Sequence, residues 1–344
     1  MLCILRSDKK LTVAYIHRSM CRSYKEVAQD LDIEVSSCIS YTQLQRILKK
    51  VDYQGFNAIN ETFFHQYIYK DALEWYAIDG KELRGSIDDV AGEKRGQNVV
   101  SRTSHSTKQS SIVGWYNGSK DSEKTVVSHY FNSYDYLLGK YTLDALHLSS
   151  ELPALIAKKG GIYLMQVKAN QKLLLEDCKH IDDNLTTSYK KEAYQKAHGR
   201  EEIRIGFGYE MNTESLPKRW KETKVKILIV VERERKITKT QKKSKEKSYW
   251  VTNLPLNQIN FLELFMAIRE HWAIEVHHNT RDKQMGEDNL ITRNENQSRF
   301  IAVCITLATN LLEVQKVENL TVLREELAYK ERNVYHLFEH KRFL

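Results

Sequence analysis

Three acidic residues lie where carboxylate groups can take part in phosphoryl transfer. Asp79 follows the aromatic and apolar run 74–78, which is typical of a buried strand, and Asp144 follows the short apolar run 141–143. If these strands are neighbours in a central sheet, both carboxylates lie at one edge, where Glu275 from a later helix can join them. Carboxylates that close repel one another unless a cation lies among them. Hard oxygen ligands favour two Mg²⁺ ions, with Mn²⁺ as the alternative, and such a pair promotes in-line displacement at phosphorus.

The helix predicted over residues 268–282 turns polar side chains toward the core. Glu275 lies close to Trp272 on this helix, and burial of a carboxylate costs free energy unless a partner such as a metal ion neutralises it. Trp272 is predicted to lie in the core and to support Glu275. His277 and His278 lack a third ligand at zinc spacing and are predicted to pack or to line the site. An exposed helix with an ordinary charged face is the alternative.

The composition fits a protein that binds a polyanion and does not span a membrane. The 344 residues are 41% apolar and 28% charged, and the net charge is +8. No apolar stretch reaches the length of about 18 residues that a membrane helix needs, and the apolar opening 1–5 is too short for a signal peptide. The five cysteines include no CxxC pair, which argues against a zinc site or a disulfide framework and fits a reducing cytoplasm.

Residues 1–72 are predicted to form a helical subdomain. Ser23 with Glu26, and Ser40 with Gln43, have the spacing of a capping box, which marks the first turn of a helix. Two short capped helices followed by lysines are typical of a helix-turn-helix that binds DNA. A subdomain that only packs against the rest of the chain is the alternative.

Two stretches, 73–184 and 256–315, are predicted to form one α/β core. The hydrophobic pattern predicts an antiparallel meander and then a parallel strand–helix–strand unit. The predicted strands of the core are 74–78, 110–116, 125–131, 141–143 and 162–167, and the predicted helices include 150–159 and Phe300–Leu312.

Residues 185–255 interrupt this pattern and are predicted to be a β-rich insertion, with strands at 202–207, 225–232 and 248–252. The lysine-rich run Lys236–Lys247 is predicted to be a solvated loop, which in a nucleic-acid-binding protein also lies along phosphates. The charged C-terminal tail, 316–344, is predicted to be helical and has no assigned function.

Five short blocks occur in a fixed order within residues 75–312. They are IDGKELRGS from Ile78, TLDA from Thr142, GIYLMQVKANQ from Gly161, HGREEIR from His198 and IREHWAIE from Ile268, with GED behind the last one at Gly286. In amino-acid sequence and in order, these blocks resemble those of the H-repeat-associated group of bacterial insertion-sequence DDE transposases.

The resemblance implies a ribonuclease-H-like mixed sheet flanked by helices, with a β-rich insertion between the second Asp and the Glu. It implies Mg²⁺-dependent cleavage and transfer of strands of double-stranded DNA, with Asp79, Asp144 and Glu275 as the catalytic metal ligands. The expected form is a cytoplasmic, nucleoid-associated homodimer that assembles on DNA.

A set of mostly basic and polar residues near these blocks and in the insertion is predicted to contact DNA. Surface ion pairing of the two basic residues after Asp79, a structural turn at the HGR block and core packing of the tryptophan are the alternatives. The set comprises Lys81, Arg84, Lys168, Gln171, His198, Arg200, Lys239, Lys242, Lys243, Trp250 and Arg269.

The sequence departs from the family pattern at three places. In residues 1–72 only Ile39–Asp52 resembles the family's N-terminal domain, and the apolar run expected before it is interrupted by polar and basic residues. Leu146–Ser149 stands where the family has MGxQ, and the segment after Glu275 is one residue shorter and lacks a second tryptophan. Two rival functions therefore stay open beside the transposase: a nuclease on the same fold, and a decayed or repurposed transposase that binds DNA without cleaving it.

Overall fold

The computed structural model shows an α/β protein with a mixed sheet, as predicted. It describes residues 2–5, 11–30, 32–68, 74–87, 95–117, 120–197, 199–212, 214, 216–315, 322–323, 325 and 327. Most of the tail 316–344, which is predicted to be helical, lies outside the described residues. His198 lies outside them as well.

The helices and strands are numbered in chain order within the described residues. The helices are α1 Leu2–Leu5, α2 Val13–Asp30, α3 Tyr41–Leu48, α4 Tyr53–Ile68, α5 Lys120–Asn132, α6 Glu151–Lys158, α7 Lys172–Asn184, α8 Gln258–Glu270, α9 Trp272–Asn279 and α10 Glu295–Val314. The strands are β1 Trp75–Glu82, β2 Gln97–Ser104, β3 Ser110–Asn117, β4 Lys140–Leu143, β5 Ile162–Val167, β6 Lys190–Ala197, β7 Arg200–Glu210, β8 Ile227–Ile237 and β9 Lys243–Thr252.

The chain forms two compact units. The first unit comprises residues 1–70, 80–126 and 273–344, and the second comprises 71–79 and 127–272. Each of the predicted core stretches, 73–184 and 256–315, contributes to both units, and the predicted insertion 185–255 falls in the second unit with β4 and β5.

The strands are hydrogen-bonded in the order β3-β2-β1-β4-β5-β9-β8-β7-β6. β4 pairs in parallel with both β1 and β5, which confirms the predicted parallel strand–helix–strand unit. From β5 onward every pairing is antiparallel, and β9 joins the insertion directly to β5. The insertion therefore extends the sheet.

An apolar core stabilises the second unit. Phe261 and Phe265 of α8 are buried in a cluster with Ile229 of β8 and Trp250 of β9. The two phenylalanine rings lie so close to β7 that a Cβ atom at Gly206 would overlap Phe265. Burial of each such ring stabilises the fold by about 2–3 kcal/mol.

Helix α10 is buried along the first unit, where polar contacts supplement the apolar ones. Ala302 and Val303 pack with Val99 of β2. The side-chain amide of Asn310 pairs with both backbone groups of Ser110, as a neighbouring strand's backbone does. Nδ2 donates to the carbonyl oxygen of Ser110 at 2.8 Å, and Oδ1 accepts from the backbone N–H of Ser110 at 2.8 Å.

Several local predictions are settled by the structure. Ser40 begins α3 through the predicted capping box, in which its Oγ accepts from Gln43 N at 3.2 Å and Gln43 Oε1 accepts from Ser40 N at 2.8 Å. The capping box at Ser23 is wrong, because that residue lies inside α2. The strand predicted at 125–131 is also wrong, because these residues belong to α5.

The single helix predicted over 268–282 is divided. α8 ends at Glu270, α9 follows from Trp272, and residues Thr280–Gln284 form a short π-helical turn. The predicted loop Lys236–Lys247 is in part strand, since β9 begins at Lys243 and pairs with β8 as a hairpin that we call the basic hairpin.

A disulfide joins Cys21 of α2 to Cys38, with 5.4 Å between the two Cα atoms. The absence of a CxxC pair therefore did not exclude a cross-link. Among the described residues, none of the helices combines the length and the apolar character that crossing a lipid bilayer requires.

Candidate active site at the ends of two parallel strands

Asp79 and Asp144 occupy equivalent positions on neighbouring strands. In the parallel pairing of β1 with β4, Ile78 lies opposite Leu143. Asp79 and Asp144 are the next residue on each strand, and both side chains are half-buried. The register thus places these two predicted residues side by side where the pairing of β1 with β4 ends, although β1 itself continues to Glu82.

The backbone around Asp144 fixes the direction of its carboxylate. Its Oδ1 accepts the backbone N–H of Leu146 at 2.8 Å, so Asp144 caps the short 3₁₀ turn Ala145–His147. Two amide side chains that follow β5 hold this turn from the other side. Asn170 Nδ2 donates to the carbonyl oxygen of Ala145 at 2.6 Å, and Gln171 Nε2 donates to that of Leu148 at 3.0 Å.

His147 adds a nitrogen ligand that was not among the residues predicted from the sequence. A ring nitrogen of His147 and a carboxylate oxygen of Asp79 lie within 4.8 Å of one another, and His147 is buried. The signal that could have found it is its position three residues after Asp144, in the segment that departs from the family block.

His271 lies near the same strand ends and is neutral at pH 7. Desolvation by burial lowers its pKa to about 4, although the negative charge of Asp144 opposes that shift. His271 Nδ1 lies 2.9 Å from Thr142 Oγ1 on β4, and its ring packs edge-on against Trp250. His271 therefore supports the end of β4 without adding a positive charge.

Glu275, the third predicted catalytic acid, belongs to the first unit. It lies on α9 with an exposed side chain, and Trp272 is 46% exposed. The predicted burial of Trp272 is therefore wrong, and so is the inward position of Glu275. The convergence of Glu275 on the two aspartates stays a prediction.

Lys81 of the first unit is buried among acids. Its Nζ lies 2.6 Å from Asp282, 3.2 Å from Glu287 and 3.5 Å from Asp288. Burial alone would lower its pKa, but the surrounding carboxylates, Glu287 foremost, raise it overall. We call Lys81, Arg281, Asp282, Glu287 and Asp288 the buried ion cluster. Its geometry disfavours the phosphate contact predicted for Lys81.

Arg281 forms a bidentate ion pair with Glu287 in this cluster. Its Nε and Nη2 donate to the two carboxylate oxygens of Glu287 at 3.0 and 2.6 Å, and Nη1 donates to Thr306 Oγ1 at 3.3 Å. Burial opposes ionisation of Glu287, but Arg281 and Lys81 outweigh it and lower the pKa of Glu287 to about 2.

The two histidines on α9 are neutral at pH 7, because burial and nearby positive charges lower their pKa values. Burial, with Arg281 and Lys81 adding to it, lowers the pKa of His278 to about 3. Burial and Arg281 likewise hold the pKa of His277 well below its ordinary value. Their predicted role as packing residues fits this environment.

The remaining residues predicted to contact DNA differ in accessibility. Arg84, Lys168, Lys239, Lys242 and Lys243 are exposed. Arg200 and Arg269 are half-buried. Trp250 is 5% exposed within the core of the second unit, which disfavours base stacking and agrees with core packing, the alternative that the sequence left open.

The ligands present suit a hard divalent cation. Asp79 offers a carboxylate oxygen and His147 a ring nitrogen within 4.8 Å of one another, and Asp144 follows the neighbouring strand. Such a set favours Mg²⁺ or Mn²⁺ over softer metals, and nitrogen ligation shifts the balance toward Mn²⁺.

Comparison with known proteins finds relatives of which several are named as putative transposases. No protein-family model matches it. It is 32% identical to "Putative protein YbfL" of Escherichia coli K12 over 253 residues, covering 70% of this chain and 64% of that protein. It is 31% identical over 259 residues to "H repeat-associated putative transposase YhhI" of the same strain, covering 72% and 66%. "Putative transposase YncI" of Escherichia coli O157:H7 is 27% identical over 277 residues, covering 78% and 69%.

These relatives confirm the resemblance that the five blocks carry. The chain is a homologue of the H repeat-associated transposases, and its matched segment spans slightly less than two thirds of the first two relatives.

Proposed function

We propose that this protein is a metal-dependent transposase that cleaves DNA strands and joins the cut ends to a target. The observation that carries the proposal is the position of Asp79 and Asp144, each one residue beyond the last pair of the parallel strands β1 and β4, in a chain whose relatives are named as transposases. The mixed sheet is compatible with the ribonuclease-H-like core that the resemblance implies.

Asp79, Asp144 and Glu275 would hold two Mg²⁺ ions, with His147 as a further ligand on the Asp79 side. When bound, the ions supply activation of the attacking oxygen and neutralise charge that develops on the phosphate. The nucleophile is water in the cleavage step and a DNA 3′-hydroxyl in the joining step, so no covalent bond between enzyme and DNA forms.

The chain's own residues prepare this chemistry. The backbone N–H of Leu146 orients the Asp144 carboxylate, and the turn that carries it is held by Asn170 and Gln171. Lys168 is exposed beside these strand ends and is placed to contact a phosphate. We propose double-stranded DNA as the substrate and a homodimer as the form that assembles on it.

Nicking and binding assays with three variants test the proposal. Asp144→Asn and Glu275→Gln remove a charge that holds the ions but keep the size of each side chain. Nicking of plasmid DNA in Mg²⁺ should fall by several orders of magnitude in both, while binding to the same DNA in EDTA is unchanged, since phosphate contacts come from Lys and Arg. Asp183→Asn, an exposed acid on α7, is the matched control and should nick like the wild type.

The outcomes separate the rival functions. Joining of cut ends identifies a transposase, and cleavage without joining identifies a nuclease. A wild-type protein that binds DNA but never nicks it is a DNA-binding derivative and overturns the proposal. If Asp144→Asn nicks normally, the two aspartates are not metal ligands.

A further inference from the structure

The N-terminal helices carry a second group of metal-binding side chains that no part of the proposed reaction uses. His17 and Cys21 are one turn apart on α2, and their side chains share one face of that helix. Cys38 lies in the segment that leads into α3. The ligand atoms of these three residues all lie within 4.8 Å of one another, and each side chain is half-buried and so reachable from solvent.

The distance between the histidine nitrogen and one cysteine sulfur matches that between two ligands of one metal ion. His17 Nε2 lies 3.5 Å from Cys21 Sγ. Two ligands of one tetrahedral zinc ion, with bonds of about 2.0 Å to nitrogen and 2.3 Å to sulfur, are separated by about 3.5 Å. The 5.4 Å between the Cα atoms of Cys21 and Cys38 suits the disulfide and also leaves both sulfurs close enough to share an ion.

Neighbouring groups hold the histidine in place. In the disulfide form His17 Nε2 lies 2.8 Å from the carbonyl oxygen of Ile39, a hydrogen bond that metal binding at Nε2 would replace, and the imidazole packs edge-on against Tyr41 with 5.6 Å between ring centroids. Ile39 and Tyr41 flank Ser40, which caps α3. The imidazole is thus fixed at the point where the chain enters α3, close to both cysteines.

We propose that His17, Cys21 and Cys38 form a zinc site when the two cysteines are thiols. Two thiolates and an imidazole are soft ligands that select Zn²⁺ over the Mg²⁺ expected at the carboxylate site. A water molecule completes the tetrahedron. The site joins α2 to the start of α3 in the same way that the disulfide does, so the link between the helices persists under reducing conditions.

The change from disulfide to metal site balances without a redox-active metal. A thiol reductant supplies two electrons and two protons, which break the sulfur–sulfur bond and yield two thiols, while the reductant itself becomes a disulfide. Zn²⁺ then replaces the two thiol protons, which pass to the buffer, and the proton on His17 Nε2 moves to Nδ1 so that Nε2 can bind the ion.

Cobalt substitution in the full-length chain tests the site. After reduction with a phosphine and removal of excess reductant under argon, and with excess Mg²⁺ present to occupy the carboxylate site, Co²⁺ should produce the charge-transfer absorption of a cobalt–thiolate bond that saturates at one thiolate-bound ion per chain. Added Zn²⁺ should abolish that absorption. Zn²⁺ binding to the reduced protein should release two protons per ion in a weakly buffered solution.

Variants decide which residues are ligands. Cys21→Ser and Cys38→Ser should lose the charge-transfer absorption, and His17→Gln should shift it and weaken Co²⁺ binding. Cys3→Ala, Cys178→Ala and Cys304→Ala change the three free cysteines and should leave it intact. Far-ultraviolet circular dichroism of each variant shows whether the helices still form, and a variant that fails to fold is replaced by its alanine counterpart.

Two results would overturn the proposal. One is a reduced wild-type chain that shows no cobalt–thiolate absorption, or an absorption that survives in Cys38→Ser. The other is a Cys21–Cys38 disulfide that re-forms in a reducing glutathione buffer even with Zn²⁺ present, which would make the pair a stable cross-link only. Because none of these readouts involves DNA, failure of the zinc site leaves the proposed transposase activity untouched.

Discussion

The two units of this chain are stabilised by different physical means. The second unit buries phenylalanine and tryptophan rings between α8 and its sheet, an arrangement that hydrophobic burial explains. The first unit also has an apolar cluster, but it buries Arg281 completely and Lys81 almost completely among carboxylates. The stability of the first unit therefore depends on the pairing of these buried charges.

This difference teaches how each unit responds to change. An apolar core loses a few kcal/mol for each large side chain removed and is nearly indifferent to pH. A buried ion cluster contributes little net stability when intact, because desolvation offsets attraction, but loss of one member leaves an uncompensated charge. The first unit is therefore the one that single charge changes and acid should affect most.

The largest effect is expected from Arg281→Met. This change leaves Glu287 buried with Lys81 as its remaining partner, and breaking a buried pair costs about 3–5 kcal/mol. Urea unfolding should show a correspondingly lower midpoint. Phe261→Ala in the second unit should cost a similar amount through a cavity.

The double variant Arg281→Met, Glu287→Leu distinguishes the two mechanisms. It removes both charges together and should recover most of the stability lost in Arg281→Met. If the double variant is as unstable as the single one, the cluster acts through packing and not through charge.

The next effect is a loss of stability in acid. The pKa of Glu287 falls from 4.5 to about 2 on folding, so its contribution is complete above pH 4.5 and is lost as the pH falls toward 2. That pKa shift corresponds to a change of about 3 kcal/mol in the free energy of unfolding. The pKa of His278 falls from 6.5 to about 3 on folding, which has the same sign and begins near pH 6.5.

Hydrogen exchange followed by mass spectrometry can locate this loss. Between pH 7 and pH 3, after correction for the intrinsic pH dependence of exchange, protection should fall more in peptides of α9 and α10 than in those of β8 and β9, because much of the loss from Glu287 and the difference between His278 and His271 lie below pH 4.5. His271 gives the second unit a smaller loss of the same sign, since its pKa falls from 6.5 to about 4. Equal losses in both units would contradict the comparison.

A smaller effect concerns the basic hairpin of the second unit. Lys239, Lys242 and Lys243 are exposed, whereas Lys245 pairs with Glu234 and Lys247 with Asp182. Alanine at the three exposed positions should leave stability within about 0.5 kcal/mol of the wild type. The slope of log affinity for DNA against log salt should flatten by about 0.9 for each phosphate that the variant no longer neutralises.

A matched triple variant serves as the control for the hairpin. Lys218, Lys221 and Lys226 are also exposed in the second unit, and their replacement by alanine changes the net charge by the same amount. If both triple variants flatten the slope equally, overall charge and not the hairpin governs DNA binding.

The smallest effect is expected at the start of α3. Ser40→Ala removes the acceptor for the Gln43 N–H and should lower the free energy of unfolding by about 1 kcal/mol. Ser40→Asp keeps an acceptor and should restore most of that loss. Thermal unfolding followed by circular dichroism resolves differences of this size, and equal losses in the two variants would exclude a capping role.

Sequence reasoning succeeded where the signal is local. Strand β5 has the predicted bounds because an apolar run lies between Gly161 and Lys168. The same reasoning found the end of β4 and the adjoining positions of Asp79 and Asp144, although β1 continues to Glu82, beyond its predicted end at residue 78.

Sequence reasoning failed where distant partners decide the structure. β2 is buried but rich in polar residues, and no apolar run marks it. The stretch 125–131 contains β-branched and aromatic residues typical of a strand, yet its packing makes it part of α5. Lys81 follows Asp79 closely in the sequence and was therefore predicted to contact phosphate. Its carboxylate partners lie about 200 positions further along the chain, so the local sequence gives no sign of them.

The open side of β6 has a consequence for how the protein behaves in concentrated solution. β6 is the last strand in the sheet order, and most of its side chains are exposed. An uncovered strand edge can template pairing with another molecule, and natural proteins oppose this with charged side chains, lysine above all. Lys190, Lys191 and Lys196 place such charges along β6. Chemical acetylation of these lysines would remove the repulsion between edges, so resistance to aggregation depends here on residues that lie outside either core.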